Sequence, residues 1–180
     1  MKLYLVKPDL TYFEQYNEMM KEWCESNTRI APWFLDEPID TIEEFEKLIK
    51  LLDDCEHGLG DSQFASTTSF FVVDENNKLI GATSLRHYLT CEGYRTWGHI
   101  GFGVRPLERR KGYGTQMLDM MLEEAKKHCI YNVLIGCYEE NEGSYKTIEK
   151  CGGVLEDIVS YEAYEGPIKR YWINLIQTVK

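Results

Sequence analysis

The stretch from Trp97 to Tyr138 constrains this chain more than any other, because its hydrophobic period changes twice within it. Trp97 to Val104 reads as a strand. From Gly112 to about His128, Met117, Leu118, Met121, Leu122 and Ala125 recur at helical spacing. Val133-Leu134-Ile135-Gly136-Cys137-Tyr138 is then a short apolar run of the kind that forms a buried strand. A strand–helix–strand unit of this length predicts a right-handed crossover that sets two parallel strands in one sheet. Simple alternation along the first strand puts Trp97, His99, Gly101 and Gly103 on one face.

The flanking sequence extends this unit. Leu3 to Val6 reads as a strand, and Asp9 caps a helix carrying Tyr16, Met19, Met20 and Trp23 on one side. A proline-marked polar stretch from Ser26 to Asp40 follows. Thr41 and Glu44 then form a capping-box pattern ahead of Phe45, Leu48, Ile49 and Leu52. Ser69–Val73 and Lys78–Leu85 are a hairpin around Asp74-Glu75-Asn76-Asn77, and a loop surrounds Cys91-Glu92-Gly93. A short helix from Glu142 stops at Gly152-Gly153, and strands Val154–Tyr161 and Arg170–Ile176 close the chain. The predicted order is β-α-α-β-β-β-α-β-α-β-β. It implies an α/β fold with one mixed central sheet of about seven strands and helices on both faces.

Composition narrows the function classes. A net charge of −10 disfavours nucleic acid and acidic membranes as partners, and a cationic small substrate suits such a surface better. No apolar run approaches the roughly 20 residues that span a bilayer. The start of the chain is too soon charged for a secretory signal, so a cytoplasmic location is expected. The six cysteines show neither C-x-x-C pairs nor a nearby histidine cluster, so free thiols and no metal are expected.

Chemistry concentrates between Val104 and Thr115. A strand ends, a turn with Arg105, Arg109, Arg110 and Lys111 follows, and a helix opens on Gly112-Tyr113-Gly114. Free N–H groups at a helix start attract anions, and absent side chains let phosphate oxygens approach the backbone. The pattern lacks the Gly-Lys-Ser/Thr of a Walker loop and the third glycine of a dinucleotide fingerprint. A glycine-relaxed helix entry with solvated arginines is the alternative.

Arg109-Arg110-Lys111-Gly112-Tyr113-Gly114 resembles the Q/R-x-x-G-x-G/A pyrophosphate motif of the GNAT acetyltransferase superfamily. Asn141-x-x-Ser144 after the next strand is similar to a second feature of that superfamily, and the element order matches over nearly the whole chain. Gly98-His99-Ile100-Gly101-Phe102 with Arg105-Pro106 further resembles a branch of bacterial predicted acetyltransferases without assigned substrates. The resemblance implies one GNAT-like domain over residues 1–180 and acetyl-CoA as acetyl donor. It also implies a small-molecule or peptide amine as acceptor, and leaves room for a homodimer.

By the same resemblance, the N–H groups of Arg109, Arg110, Lys111, Gly112, Tyr113 and Gly114, with Thr115 beside them, would hold the pyrophosphate. The Val104 N–H would polarise the thioester carbonyl, Asn141 would position pantetheine or amine, and Ser144 would touch the CoA arm. Gly101 and Gly103 are compatible with pantetheine lying against the strand, and equally with tight sheet packing. Asn141 and Ser144 also suit a helix cap.

Direct attack by an amine requires loss of its proton. For an alkylammonium of pKa about 10.4, the neutral form costs roughly 4–5 kcal/mol at pH 7. His99, on the strand beside the expected thioester, is the leading base candidate, and a structural histidine is the alternative. Many superfamily members carry a tyrosine acid seven residues after the asparagine, where this chain has Ile148. Arg86 and His87 either line the acceptor pocket or form an exposed ion pair. Trp33, Phe34, Asp36 and Glu37 are candidates to clasp an amine. The loss of that tyrosine keeps a non-catalytic acyl-CoA-binding or sensing domain in view, and another nucleotide-phosphate enzyme is a third reading.

Overall fold

The alternation in Thr67–Asp74 decides where the core sits. Phe71 and Val73 pack with Tyr16, Met19 and Phe45 on one face of this strand. Phe70 packs with Leu118 and Met121 on the other, and Val72 with Met117. Both faces are therefore covered, and every residue of the strand is buried. The computed structural model describes residues 2–61 and 64–176.

The elements are β1 (Leu3–Val6), α1 (Phe13–Ser26), α2 (Ile42–Glu56), β2 (Thr67–Asp74) and β3 (Leu79–Arg86). They continue as α3 (Cys91–Arg95), β4 (Ile100–Val104), α4 (Tyr113–Lys127), β5 (Asn132–Tyr138), α5 (Glu142–Lys150), β6 (Val154–Val159) and β7 (Ile168–Asn174). Asp9 caps a 3-10 turn, Leu10–Tyr12, that leads directly into α1. α1 ends where Asn27 takes the left-handed conformation, φ 51°. The Thr41–Glu44 capping box forms as expected and starts α2. The segment around Cys91, expected as a loop, is instead one helical turn capped by Thr90.

The predicted parallel pair does not form. The seven strands divide into two sheets, β1-β2-β3-β4 and β5-β7-β6, and every ladder among the described residues is antiparallel. The sheets touch through one bridge, Gly98↔Ile135. There the His99 N–H donates to the Leu134 carbonyl at 2.7 Å, and the Gly136 N–H to the Trp97 carbonyl at 3.0 Å.

Gly98 sits at φ +68°, which kinks the chain and delays β4 to Ile100, so the phase expected from Trp97 onward is broken. Beyond the kink the two strands share no ladder. α1 and α2 cover one face of the first sheet and α4 the other, as expected. No described helix is long and apolar enough to cross a membrane.

The crossing is tight. A Cβ on Gly136 would lie 2.0 Å from the Thr96 carbonyl oxygen, and one on Gly98 would lie 2.1 Å from that of Leu134. Because both obstacles are backbone, Gly136→Ala should destabilise the fold by about 3 kcal/mol. Urea unfolding with an unchanged m-value and a lowered midpoint is the expected result.

Candidate active site

The gap between β4 and β5 is a cleft of about 520 Å³, with Trp33, Arg86, Phe102, Tyr138, Asn141 and Ser144 among its walls. Its β4 side is an unpaired strand edge. Bonds from the Arg86 N–H to the His99 carbonyl and from the Arg105 N–H to the Ile80 carbonyl, both 2.8 Å, fix the bonded positions of the β3–β4 ladder. By antiparallel alternation, Ile100, Phe102 and Val104 turn their N–H and C=O groups toward the gap. The Val104 carbonyl accepts the Arg109 Nε–H at 3.0 Å, so of the two Val104 groups the N–H is the one left for a ligand.

At the end of β4 the chain enters the turn that begins α4. Gly112 is the N-cap at φ +82°, with no side-chain hydrogen bond to the first turn and no acidic residue within it. Nothing lies within 4 Å of the place a Cβ on Gly112 would occupy. Arg110 is also left-handed, φ 62°, a conformation that costs a non-glycine residue on the order of 1 kcal/mol and that concentrates at functional sites. The Tyr113, Gly114 and Thr115 amides thus form the positive end of the α4 dipole.

The cations of this segment do not converge on one point. Arg105 is buried and ion-paired with Glu22 at 2.6 Å and Glu18 at 3.4 Å, and it also donates to the Leu79 carbonyl. Arg109 turns back to Val104, to the Thr28 hydroxyl at 3.0 Å and to the face of Trp23. Lys111 bonds Glu108 at 2.7 Å. Together with Lys78, Lys111 holds the Glu108 carboxyl below the usual range. Arg105, Arg109 and Lys111 are thus committed to groups of the protein itself.

His99 is buried, and its Nδ1 accepts the Leu134 N–H at 3.0 Å. The proton of the neutral ring is therefore on Nε2. Burial, with the positive charge of Arg86 adding to it, lowers its pKa to about 4. A ring whose lone pair already serves the backbone is not a base at neutral pH, so the geometry supports the structural alternative. Gly101 and Gly103 likewise answer to the chain's own packing. Cβ atoms there would lie 3.2 Å from the Pro32 side chain and 2.1 Å from the Ala31 carbonyl.

Asn141 caps α5, its Oδ1 accepting the Ser144 N–H at 3.1 Å, while both residues line the cleft. Ser144 bonds the buried Cys137 thiol, whose pKa desolvation pushes up to about 11, far from that of a reactive thiolate. Ile148 is fully buried in the core, so no acid stands at the tyrosine position. Phe34 is also core, and Asp36 and Glu37 do not line the cleft, which leaves Trp33 as the member of that group that does. Arg86 lines the cleft, whereas His87 bonds the Thr68 hydroxyl and stacks on His128.

Two wall elements escaped the sequence reading. Trp97 packs edge-on to Tyr138 and Tyr164 at 5.0 and 5.1 Å. Arg29 lies 3.8 Å over the Tyr138 ring while pairing with Glu140 and Glu165. A larger hollow of about 830 Å³ lies beside α2, but none of the residues expected to act lines it.

An open strand edge leading to an uncapped helix start suits an elongated ligand with a diphosphate. Comparison with known proteins agrees. Residues 16–153 match the acetyltransferase (GNAT) family, and the chain belongs to it. Its class is acetyl-CoA-dependent acetyltransferase.

The microcin self-immunity acetyltransferase MccE, solved with acetyl-CoA and AMP, is similar at TM-score 0.69 and 17% identity, covering 96% of this chain and 92% of that one. The α-N-protein acetyltransferase RimL, solved with coenzyme A, gives 0.68 and 14%, covering 97% and 95%. Spermidine/spermine N-acetyltransferase SpeG from Vibrio cholerae gives 0.64 and 18%, covering 97% and 95%. No curated protein sequence matches.

His99 has a signature in stability rather than turnover. Its folded pKa of about 4 lies below the ordinary histidine value of 6.5, so the unfolded chain binds the extra proton first as pH falls. Its contribution is complete above pH 6.5 and is lost between pH 6.5 and 4, by up to about 3 kcal/mol. His87 is depressed as well, so the comparison is with His99→Asn, which keeps an acceptor for Leu134. That variant should flatten the unfolding free energy across this window, and the acid limb of kcat/KM should not move.

Proposed function

We propose that this chain transfers the acetyl group of acetyl-CoA to an amine by direct attack on the thioester. The observation that carries this reading is the continuity of the unpaired β4 edge with the uncapped start of α4. The residues fit the donor. The edge accepts an extended pantetheine arm as an added strand would, and the turn from Arg109 to Thr115 offers amides and open space to the diphosphate. Amide bonds to charged oxygens are worth about 1.5–3 kcal/mol each. A few of them outweigh surface cations already paired within the protein.

Acetyl-CoA supplies an activated acyl group whose carbonyl gains negative charge as the amine adds. The Val104 N–H is oriented to stabilise that charge. Asn141, fixed through Oδ1 by the α5 cap, keeps its amide N–H groups for the pantetheine or the amine, and Ser144 borders the CoA arm.

Among the described residues, neither a carboxylate nor a histidine lines the cleft. The ammonium proton is accordingly assigned to water. The thiolate leaves without a dedicated acid, which a thiol pKa of about 8.5 permits. Family membership favours this reading over a non-catalytic acyl-CoA sensor. The same reading takes residues 1–180 as one domain in the cytoplasm, acting on a small-molecule or peptide amine, alone or as a homodimer.

Gly112→Asp tests the cradle directly. Aspartate tolerates the left-handed conformation better than most residues, so the fold should survive. Its carboxylate would enter the open space where phosphate is expected. Calorimetric titration should show acetyl-CoA affinity reduced on the order of 100-fold at an essentially unchanged melting temperature. Parental affinity in the folded variant would exclude this turn as the diphosphate site.

A further inference from the structure

The charges that face the cleft are not those of the protein surface. The chain carries −10 overall, yet the charged residues lining the cleft are Arg29 and Arg86. Arg29 is neutralised, with Glu140 at 3.1 Å and Glu165 at 3.4 Å.

Arg86 is not. Among the described residues no carboxylate lies within ion-pair distance of it, and the one hydrogen bond its guanidinium makes to them runs from Nη1 to the Gly98 carbonyl at 3.1 Å. Glu92, the carboxylate that acts on it electrostatically, is engaged by the Tyr164 hydroxyl. A guanidinium has five N–H donors in a planar fork, so most of its capacity is open to the cleft.

Filling the cleft would remove water from this cation, which shares the cleft lining with the packed rings of Trp97 and Tyr138. Without a counter-charge on the incoming molecule, that desolvation goes uncompensated. A polycationic acceptor would add like-charge repulsion to it. An oxyanion instead takes up the fork in bidentate geometry, in a low-dielectric setting that strengthens the pair.

We infer that the acceptor is an amine that also carries a carboxylate or phosphate group, and that Arg86 selects it by binding that anion. This rests on the acetyl-transfer reading and sets its substrate class. It reverses the expectation of a cationic substrate, which net charge alone had suggested. The chain's negative charge lies outside the cleft, and the recognition lies inside it.

The test is steady-state acetylation by acetyl-CoA of glutamate and phenylalanine, of their amides and decarboxylated amines, of phosphoethanolamine, and of spermidine. The anionic acceptors should exceed their uncharged counterparts by on the order of 100-fold in kcat/KM, mainly through KM. The carboxylate and phosphate arms tell which anion is preferred. Arg86→Gln, which retains a donor for the Gly98 carbonyl, should erase that preference and leave acetyl-CoA affinity and melting temperature near the parent values. Preference for spermidine or the amides, or an equal loss on every acceptor in Arg86→Gln, overturns the inference.

A second readout needs no turnover. Calorimetric titration of the CoA-saturated protein with the N-acetylated acids and their amides should show binding of the acids alone, abolished in Arg86→Gln. Equal binding of acids and amides overturns the inference. Absence of acetylation across the panel alongside Arg86-dependent binding of the acids would instead overturn the transfer reading and keep the anion site.

Discussion

The cleft exists because two backbones pass each other at contact distance and then part. At Gly98 and Gly136 the chains approach so closely that neither position has room for a methyl group, and hydrogen bonds lock the crossing from both sides. His99 completes the lock by accepting the Leu134 N–H with its ring nitrogen. Beyond this point the first sheet follows its own twist and the second follows β7. The β4 edge is then left with amides that no strand satisfies. A buried, unpaired edge is costly in any fold, and one that lines a cleft is open to be completed by a ligand.

Electrostatics follow from the same geometry. Arg105 and Lys111 are consumed in holding the turn to α1 and to Glu108, and Arg109 braces the end of β4 against Trp23 and Thr28. Their task is to fix the backbone that presents the amides. Arg86 stands at the Gly98 crossing, away from the turn at the other end of β4, and there we place the second substrate by proposal. One end of the cleft is thus built from main-chain dipoles and the other from a single side-chain charge. This division matches a donor that is constant across the family and an acceptor that is not.

Much of this was legible in the sequence. Period located the longer helices and nearly all strand centres, though not the single turn of α3, and Thr41-x-x-Glu44 announced the start of α2 to the residue. The Gly112-x-Gly114 helix start was readable because it depends on residues adjacent in sequence. What could not be read depends on distant partners. Arg105 counts as a free cation until Glu22 and Glu18, more than eighty residues away, are brought beside it. His99 looks like a base until Leu134, thirty-five residues on, takes its lone pair. The split into two sheets hangs on one positive φ at Gly98, which a strand-like pattern conceals. Arg86 and His87, neighbours in sequence, could be separated into cleft and exterior only by the structure.

Amide hydrogen exchange, with and without acetyl-CoA, bears most directly on the central claim that an unpaired strand edge and an uncapped helix start form one continuous donor site. The claim predicts slowed exchange at Phe102, Val104 and Tyr113 to Thr115 on addition of acetyl-CoA, with the α2 hollow unaffected. Unchanged exchange at these amides under saturating acetyl-CoA, or protection confined to the segment around α2, would contradict it.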